Sequence, residues 1–322
     1  MCRSPAMEGD QMTPLDLMIG LAVLVSAVVV LVAPRLAAAV AFLVFGVALA
    51  ALWAVLDAPD IALAEAALGT GVTGALFIEA ITREKPSRAG RSSWWVATGL
   101  VLLAGAVLLP VLVRVADAGA AAGLGPTVAQ ALPDSGVDYP VTAVLLAFRA
   151  YDTLLEIAVL FVAVVVAAAL RWASGGPVTD RQGGPPNALV AAFIPHVLPV
   201  LVVIVGWFLF AGSSLPGGAF QAAAVLAGAL LLVRAIGRLR PRPGLVSAWL
   251  AAGLLGFLTV AVGGLPLGDW LALPPITAGI IIVALETVLT VSIAVSLAML
   301  VTIVGDLDSP NRADDREVGT AP

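Results

Sequence analysis

Hydrophobic positions along the chain form long unbroken runs that short polar segments separate. A helix needs about 20 apolar residues to cross the hydrocarbon core of a membrane, because it rises about 1.5 Å per residue. Alternating segments of about 10 residues, the pattern of a membrane β-barrel, are not found in the sequence. The pattern therefore predicts an all-α, polytopic membrane protein with about nine transmembrane helices, five followed by four. The runs cover 15–32, 36–56, 61–81, 94–113, a longer one ending at 170, 189–211, 217–233, 245–263 and 277–304.

Composition supports the membrane interpretation. Of the 322 residues, 61% are hydrophobic and 11% are charged, whereas a soluble domain carries about a quarter charged residues. This excludes a sizeable soluble catalytic domain, and we expect no enzymatic activity and no nucleic-acid binding. Cys2 is the only cysteine, which excludes disulfides within the chain and cysteine-based metal or iron–sulfur sites. We therefore predict no cofactor and no metal site.

The distribution of charge predicts how the chain lies in the bilayer. Basic residues are concentrated in the connections after the third, fifth and seventh predicted helices, and acidic residues in the alternate connections. Basic loops lie on the cytoplasmic side of a membrane. The N-terminus is then predicted outside the cell and the acidic tail, 307–322, in the cytoplasm. The basic residues are Arg83, Lys85, Arg88 and Arg91, then Arg171 and Arg181, then Arg234, Arg238, Arg240 and Arg242.

A polar segment rich in glycine and proline, 173–187, divides the chain into two halves. Such a composition is typical of a linker. We predict a five-helix membrane domain over 1–172 and a four-helix membrane domain over 188–306.

Ionisable residues inside predicted spans are candidates for function, because each costs a few kcal/mol in lipid. In the third span Asp60 is followed by Glu65, although Asp60, like Asp57, also fits a role in capping the helix. Glycines then recur at helical spacing, which allows close packing of helices and also weakens the helix enough for a π-bulge or hinge. These hinge candidates are Gly69, Gly71 and Gly74.

The fifth span carries Arg149, Asp152 and Glu156 at spacings of three and four, on one stripe of a helix. An Arg149–Asp152 pair would satisfy two charges, and that role is structural. Glu65 and Glu156 lie at matching depth, about 24 and 22 Å from the predicted cytoplasmic boundary. If the two faces point at each other, the carboxylates could share or pass a proton.

The second half holds fewer ionisable groups. His196, between two prolines, is either a hydrogen-bonded packing residue or a proton relay. Glu286 lies about 14 Å into the last helix and must be neutral, hydrated or paired. The connection that begins Pro216-Gly217-Gly218 has almost no polar side chains and predicts tight backbone geometry in a membrane-embedded turn, with a plain hairpin as the alternative.

Three of these segments together resemble one family, the Mrp-type cation/proton antiporters. Ala58-Pro-Asp-Ile-Ala-Leu-Ala-Glu65 and the glycines after it resemble part of the C-terminal region of the large A subunit, and also the small D subunit of membrane-bound hydrogenases. Residues 148–160, beginning Phe-Arg-Ala-Tyr-Asp-Thr-Leu-Leu-Glu, resemble the FRGFDTLGE motif of the same A subunit and of the hydrogenase E subunit. Pro216-Gly-Gly-Ala-Phe-Gln221 resembles the PGGGFQGG turn of the antiporter B subunit.

The resemblance implies a fusion of the C-terminal region of an A subunit, which is also similar to the J subunit of respiratory complex I, with a B subunit. It implies an ion-pathway role for Asp60, Glu65, Arg149, Asp152 and Glu156, and makes the glycines of the third helix candidates for a switching role. The sequence departs from the family where Ala211-Gly-Ser-Ser214 replaces the histidines that precede the turn. The pump-like helices and their lysines are also missing.

The predicted function is thus that of a cell-membrane subunit in a multi-subunit Na⁺/H⁺ antiporter that contributes to ion translocation. Its partners would be other antiporter membrane subunits, including the separate pump-like proton-translocating ones. One alternative is the same module in a redox-driven membrane-bound hydrogenase or a complex I-like assembly. Another is a scaffold that conducts no ions, and a third, a stand-alone transporter, predicts inverted repeats that the sequence does not show.

Overall fold

The computed structural model describes residues 14–32, 35–72, 123–173, 188–238, 243–268, 273–274 and 276–307. Within these ranges the chain is helical and contains no strand, so the predicted all-α class is confirmed. The predicted fourth span, 94–113, lies outside the described residues, as do Gly74, the linker from 174 onwards and the acidic tail from 308 onwards.

The first half contains six α-helices, two of which continue directly into π-helices. The α-helices and the π-helices π1 and π2 are, in chain order, α1 (Pro14–Val32), α2 (Arg35–Val55), α3 (Pro59–Ala64), π1 (Glu65–Val72), α4 (Gly125–Ala131), α5 (Pro140–Ala143), π2 (Val144–Phe148) and α6 (Ala150–Ala173).

The second half contains four long helices. They are α7 (Ala188–Ala211), α8 (Ala219–Ala235), α9 (Pro243–Gly263) and α10 (Ala278–Leu307).

Seven of the helices match predicted spans. Five are long and apolar enough to cross a membrane, and α1 and α8 contain shorter apolar helices, Met18–Leu31 and Ala219–Ala235. This confirms a polytopic membrane fold. The third span is described only as far as Val72, so the count of nine and the orientation of the termini stay predictions. The five long spans are Ala37–Val55, Ala150–Ala173, Ala191–Ala211, Gly244–Gly263 and Ala278–Ile303.

The glycine-rich part of the third span forms the π-helix π1, which matches the π-bulge alternative considered for this glycine run. An α-helix gains little from glycine, which has no side chain to pack and loses much backbone entropy on folding. A π-helical segment therefore forms here more readily than in the alanine- and leucine-rich spans. The second π-helix, π2, contains no glycine, and nothing in the sequence pattern predicted it.

The core of the protein forms around α10. Half of the residues in its most apolar window are buried, against 17% or less in the other four long spans. It packs against α6, α7, α8 and α9. On the α8 side the contact surface consists of alanines, which let the two backbones approach closely because lipid supplies no hydrophobic force between helices. The buried alanines are Ala219, Ala222, Ala223, Ala224, Ala227 and Ala229.

The two halves share this core. Val72, Val137 and Ala143 of the first half belong to the same buried cluster as the residues of α8 and α10. Helix α3 and π1 pack against α2 on one side and α8 on the other. The halves are thus packed directly on each other.

Close packing of α9 on α10 gives a testable prediction. A Cβ atom at Gly253 would lie 2.5 Å from Oγ and 2.7 Å from Cβ of Ser292, so Gly253→Ala forces the two helices apart and destabilises the fold by about 1–3 kcal/mol. Thermal unfolding of the detergent-purified chain should show a lower Tm.

Gly256→Ala is the matched control, because a Cβ atom there would make only ordinary contact, 3.5 Å from Cγ1 of Val288. Its Tm should equal or exceed that of the unchanged protein. Equal Tm values for both variants would contradict the packing described here.

Candidate functional site

The turn between α7 and α8 folds back tightly against the end of α7. The backbone N–H groups of Gly212 and Gly218 both donate to the carbonyl oxygen of Phe208, at 3.2 and 2.8 Å. Gly218 has a φ of 109°, which L-residues rarely adopt. A Cβ atom at Gly212 would lie 2.6 Å from Cα of Gly218, and one at Gly217 would lie 2.7 Å from the carbonyl oxygen of Phe208. We call residues 212–218 the glycine turn.

The glycine turn lies inside the helix bundle. Helix α8 has 17 residues and α10 has 30, which correspond to lengths of about 26 and 45 Å. The first backbone N–H of α8, that of Ala219, donates to the carboxylate of Glu286. Glu286 lies about 12 Å along α10 from its first residue. This difference in level supports a turn set below the end of α10, and its position within a membrane stays a prediction.

Asp60 connects the first half to the glycine turn. Its carboxylate accepts a hydrogen bond from the backbone N–H of Gly217, at 3.2 Å, and another from the hydroxyl of Tyr139. Its backbone carbonyl accepts one from the side-chain amide of Gln221, at 3.4 Å. The capping role considered for Asp60 is wrong, because the N-cap of α3 is Ala58 and no side chain caps it. Asp60 is instead held by three partners from distant parts of the chain.

A segment of the first half, 123–140, covers the glycine turn, and we call it the cap. The backbone N–H groups of Asp138 and Tyr139 donate to the carbonyl oxygen of Ser213, at 2.9 and 3.1 Å. Gly136 packs against the first turn of α10, since a Cβ atom there would lie 2.5 Å from that of Ala278. Just after the cap, the hydroxyl of Thr142 donates to the carbonyl oxygen of Gly212.

The Tyr139 hydroxyl links the cap to Asp60. Its partial burial and its hydrogen bond to Asp60 both raise the pKa of the phenol. The hydroxyl therefore keeps its proton at physiological pH and continues to donate to Asp60.

Glu286 is buried beside the glycine turn, with 2% of its surface exposed. Its carboxylate accepts a hydrogen bond from the backbone N–H of Ala219. Because Oε2 has no hydrogen-bond partner among the described residues, the oxygen that accepts this bond is Oε1. The hydroxyl of Thr290 donates to the backbone carbonyl of Glu286, at 2.8 Å, and leaves the carboxylate untouched.

Glu65 is the first residue of π1, and its carboxylate lies beside Gly69, four residues further along the same helix. A methyl group at Gly69 would overlap the Glu65 carboxylate. Gly69 therefore weakens the helix and also leaves space for the Glu65 carboxylate. Gly71 lies in the same π-helix.

Arg149 and Asp152 form the predicted ion pair, at 2.7 Å, with 63% and 43% of their side chains exposed. The sequence pattern predicts a continuous span here, but the helix is interrupted at Arg149, which has a φ of −131° and a ψ of 37°. The hydroxyl of Thr153 donates to the carbonyl oxygen of Leu145, at 2.8 Å, and bridges the interruption. Glu156 lies one turn beyond Asp152, on the exposed surface of α6.

Glu65 and Glu156 belong to different packing neighbourhoods. Helix α3 and π1 pack on α2 and α8, whereas α6 packs on α9 and α10. No contact between the two carboxylates is found in the described part of the chain, so direct proton exchange between them stays a prediction.

His196 is exposed on α7, and its Nδ1 lies 2.9 Å from the carbonyl oxygen of Ala192. This geometry matches the hydrogen-bonded alternative predicted for this histidine, with a partner on the same helix. Helix α7 is continuous through Pro195 and Pro199.

The structure therefore brings Asp60, Glu286 and the glycine turn together, and leaves Glu65, Arg149–Asp152, Glu156 and His196 elsewhere. Two members of this site, Tyr139 and Gln221, were not predicted from the sequence. Gln221 is the last residue of the Pro216–Gln221 motif, and a polar amide in the first turn of an apolar helix could have indicated a role in the site. No local sequence pattern indicated Tyr139, since its partner Asp60 is 79 positions away.

Two family models match the chain. Residues 20–85 match MbhD, the D subunit of MBH, and residues 189–305 match a domain related to the MnhB subunit of Na⁺/H⁺ antiporter. The matched ranges fall in the first and the second half respectively. No curated protein matches the chain at a significant level.

Two solved structures are similar in fold. A chain of the Mrp complex from Dietzia sp. DQ12-45-1b aligns with a TM-score of 0.72 and 21% identity, over 91% of this chain and 35% of that one. A chain of the membrane-bound sulfane sulfur reductase, an archaeal respiratory membrane complex, aligns with a TM-score of 0.52 and 19% identity, over 64% of this chain and 97% of that one. This protein thus spans only 35% of the Dietzia chain.

The order of the two matched domains agrees with the order of the first and third motifs along the sequence, and the second motif, at 148–160, lies outside both matched ranges. The glycine turn and Glu286 lie within the MnhB-related range, and Asp60 lies within the MbhD range. The chain therefore contains an MbhD segment and a domain related to the MnhB subunit of Na⁺/H⁺ antiporter in one polypeptide, and it shares its fold with a chain of the Mrp complex.

Proposed function

We propose that the protein contributes to ion translocation in a multi-subunit antiporter of the cell membrane that exchanges a monovalent cation, Na⁺, for protons. One observation carries the proposal. Acidic residues from both halves, Asp60 and Glu286, converge on the backbone of one glycine turn inside the helix bundle. Carboxylates within a membrane are energetically costly, and those that occur there commonly mark ion or proton pathways.

The ion-pathway candidates fall into two groups. Asp60 and Glu286 flank the glycine turn, and Glu65 lies one turn below Asp60 on the same helix. Glu156 lies on the exposed side of α6, near the Arg149–Asp152 pair that fixes the geometry there. His196 is a separate candidate. Carboxylates suit the task because they bind Na⁺ through oxygen and take up protons.

The exposed charges of α6 support the need for partner subunits. A charged side chain on a lipid-facing helix is costly. Arg149 and Asp152 at the start of α6 are both substantially exposed, and Glu156, one turn further along, is exposed as well. We therefore propose that this face contacts other membrane subunits, among them the pump-like subunits that carry the main proton pathways.

A redox-driven assembly is the second candidate. The match to the D subunit of MBH and the similarity to the archaeal respiratory complex favour it. In that case the redox groups belong to other subunits, and this protein would couple electron transfer to ion movement.

Charge-neutralising substitutions separate translocation from a scaffold role. In Glu65→Gln and Glu156→Gln, the side chains keep their size but lose the ionisable group, so antiport in everted vesicles should fall by at least about tenfold. Normal transport in both variants, with assembly confirmed by co-purification, would favour the scaffold. Thr259→Val is the control, since its hydroxyl bonds the carbonyl oxygen of Leu255 on its own helix.

Co-purification separates the two ion-translocating candidates. The tagged chain, isolated from native membranes in mild detergent, should bring down other antiporter membrane subunits and pump-like proteins, identified by mass spectrometry. Stoichiometric recovery of metal-bearing redox subunits would contradict the antiporter and establish the redox-driven assembly.

A further inference from the structure

We infer that Glu286, Gln221 and Asp60 form a site, buried at Glu286, that binds and releases one monovalent cation, H⁺ or Na⁺, beneath the cap. The inference rests on the proposed function and deepens it. It assigns a ligand to the glycine turn and a route by which the ligand arrives.

The unpaired oxygen of Glu286 is the first observation. The residue is 2% exposed, and Oε2 lacks a hydrogen-bond partner among the described residues. The N-terminus of α8 stabilises negative charge on the carboxylate through the Ala219 N–H. One such bond does not offset the several kcal/mol needed to bury a charge. A bound proton or cation would neutralise the remaining charge of the Glu286 carboxylate.

No described basic group neutralises Glu286 in place of a ligand. Four helices pack on α10, and α9 carries no ionisable residue. Arg234 lies at the opposite end of α8 from Ala219, about 22 Å away, and bonds Thr302. His196 lies about 18 Å below Phe208 along α7. The ionisable groups of the packed helices are Tyr151, Asp152, Glu156 and Arg171 on α6, His196 on α7 and Arg234 on α8.

Gly218 keeps a space open in front of the carboxylate. A Cβ atom at Gly218 would lie 3.2 Å from Oε1 of Glu286 and 3.8 Å from Oε1 of Gln221. The φ of 109° disfavours every residue with a side chain there. Oε1 of Glu286, which belongs to the same carboxylate as the unpaired Oε2, and Oε1 of Gln221 therefore face the same space. Oxygen is the ligand that hard cations prefer.

Gln221 connects this space to Asp60. Its Oε1 faces the space beside Gly218, while its Nε2 donates to the carbonyl oxygen of Asp60 at 3.4 Å. The Asp60 carboxylate bonds Gly217 and Tyr139 of the cap. An ion that enters past the cap meets Asp60 first and then the Glu286 space. Opening of the cap by loss of the Tyr139 bond would expose this entrance.

Replacement of Glu286 tests the site in the assembled complex. Glu286→Gln keeps an oxygen to accept from Ala219, so the complex should assemble, yet antiport in proteoliposomes should fall by at least about tenfold because the group no longer ionises. Thr287→Val, at an exposed neighbour whose hydroxyl bonds Val283 on the same helix, is the matched control. Gln221→Leu should also slow transport, since it removes the link to Asp60.

Infrared difference spectroscopy of the purified complex reads the ligand directly. The carbonyl stretch of a protonated, buried carboxyl group should appear in the unchanged complex on lowering the pH and be missing in Glu286→Gln. Displacement of that band by NaCl, with choline chloride as the control salt, identifies a site shared by Na⁺ and H⁺. Persistence of the band in NaCl identifies a proton site.

Two outcomes would overturn the inference: wild-type transport in Glu286→Gln, or an identical infrared band in that variant. Normal transport in Glu286→Gln combined with loss in Glu156→Gln would sink this site and keep the proposed function. A complex that shows no antiport at all would sink the proposed function, and the infrared comparison would still decide whether Glu286 binds an ion.

Discussion

The structure depends on the contact between the Asp60 carboxylate and the backbone of the glycine turn. Gly217 presents its N–H to Asp60 only because the turn folds against Phe208, and that fold requires positions without side chains. The same turn starts α8 deep inside the bundle and aims the Ala219 N–H at Glu286. One backbone conformation thus joins the two halves and places two carboxylates at a common point.

Small residues make this arrangement possible in lipid. Helices in a membrane gain no hydrophobic energy from associating, so close packing and hydrogen bonds must hold them together. The alanines of α8, Gly253 on α9 and Gly136 in the cap let backbones approach α10 closely. As a result half of the most apolar window of α10 is buried, and Glu286 on it is removed from the surface.

The two π-helices occur beside charged residues. The first begins at Glu65, and the second ends at the residue before Arg149. A π-helical turn widens the backbone and leaves groups unpaired, which is why such segments are frequent at functional sites. In this protein each one sets the position of an ionisable side chain: Glu65 folds over Gly69, and Arg149 turns toward Asp152.

The sequence by itself determined the membrane class, seven of the helical spans, the π-helical weakness of the glycine run and the Arg149–Asp152 pair. Each of these depends on composition or on spacing within one helix. Such local patterns can be recognised in the sequence without knowledge of the tertiary contacts. Only the tertiary structure decided that Asp60 and Glu286 meet at one turn, through Tyr139 and Gln221, while Glu65 and Glu156 lie in separate surroundings. Partners that are 79 to 161 positions apart are chosen by helix packing in three dimensions, and no local periodicity encodes which faces meet.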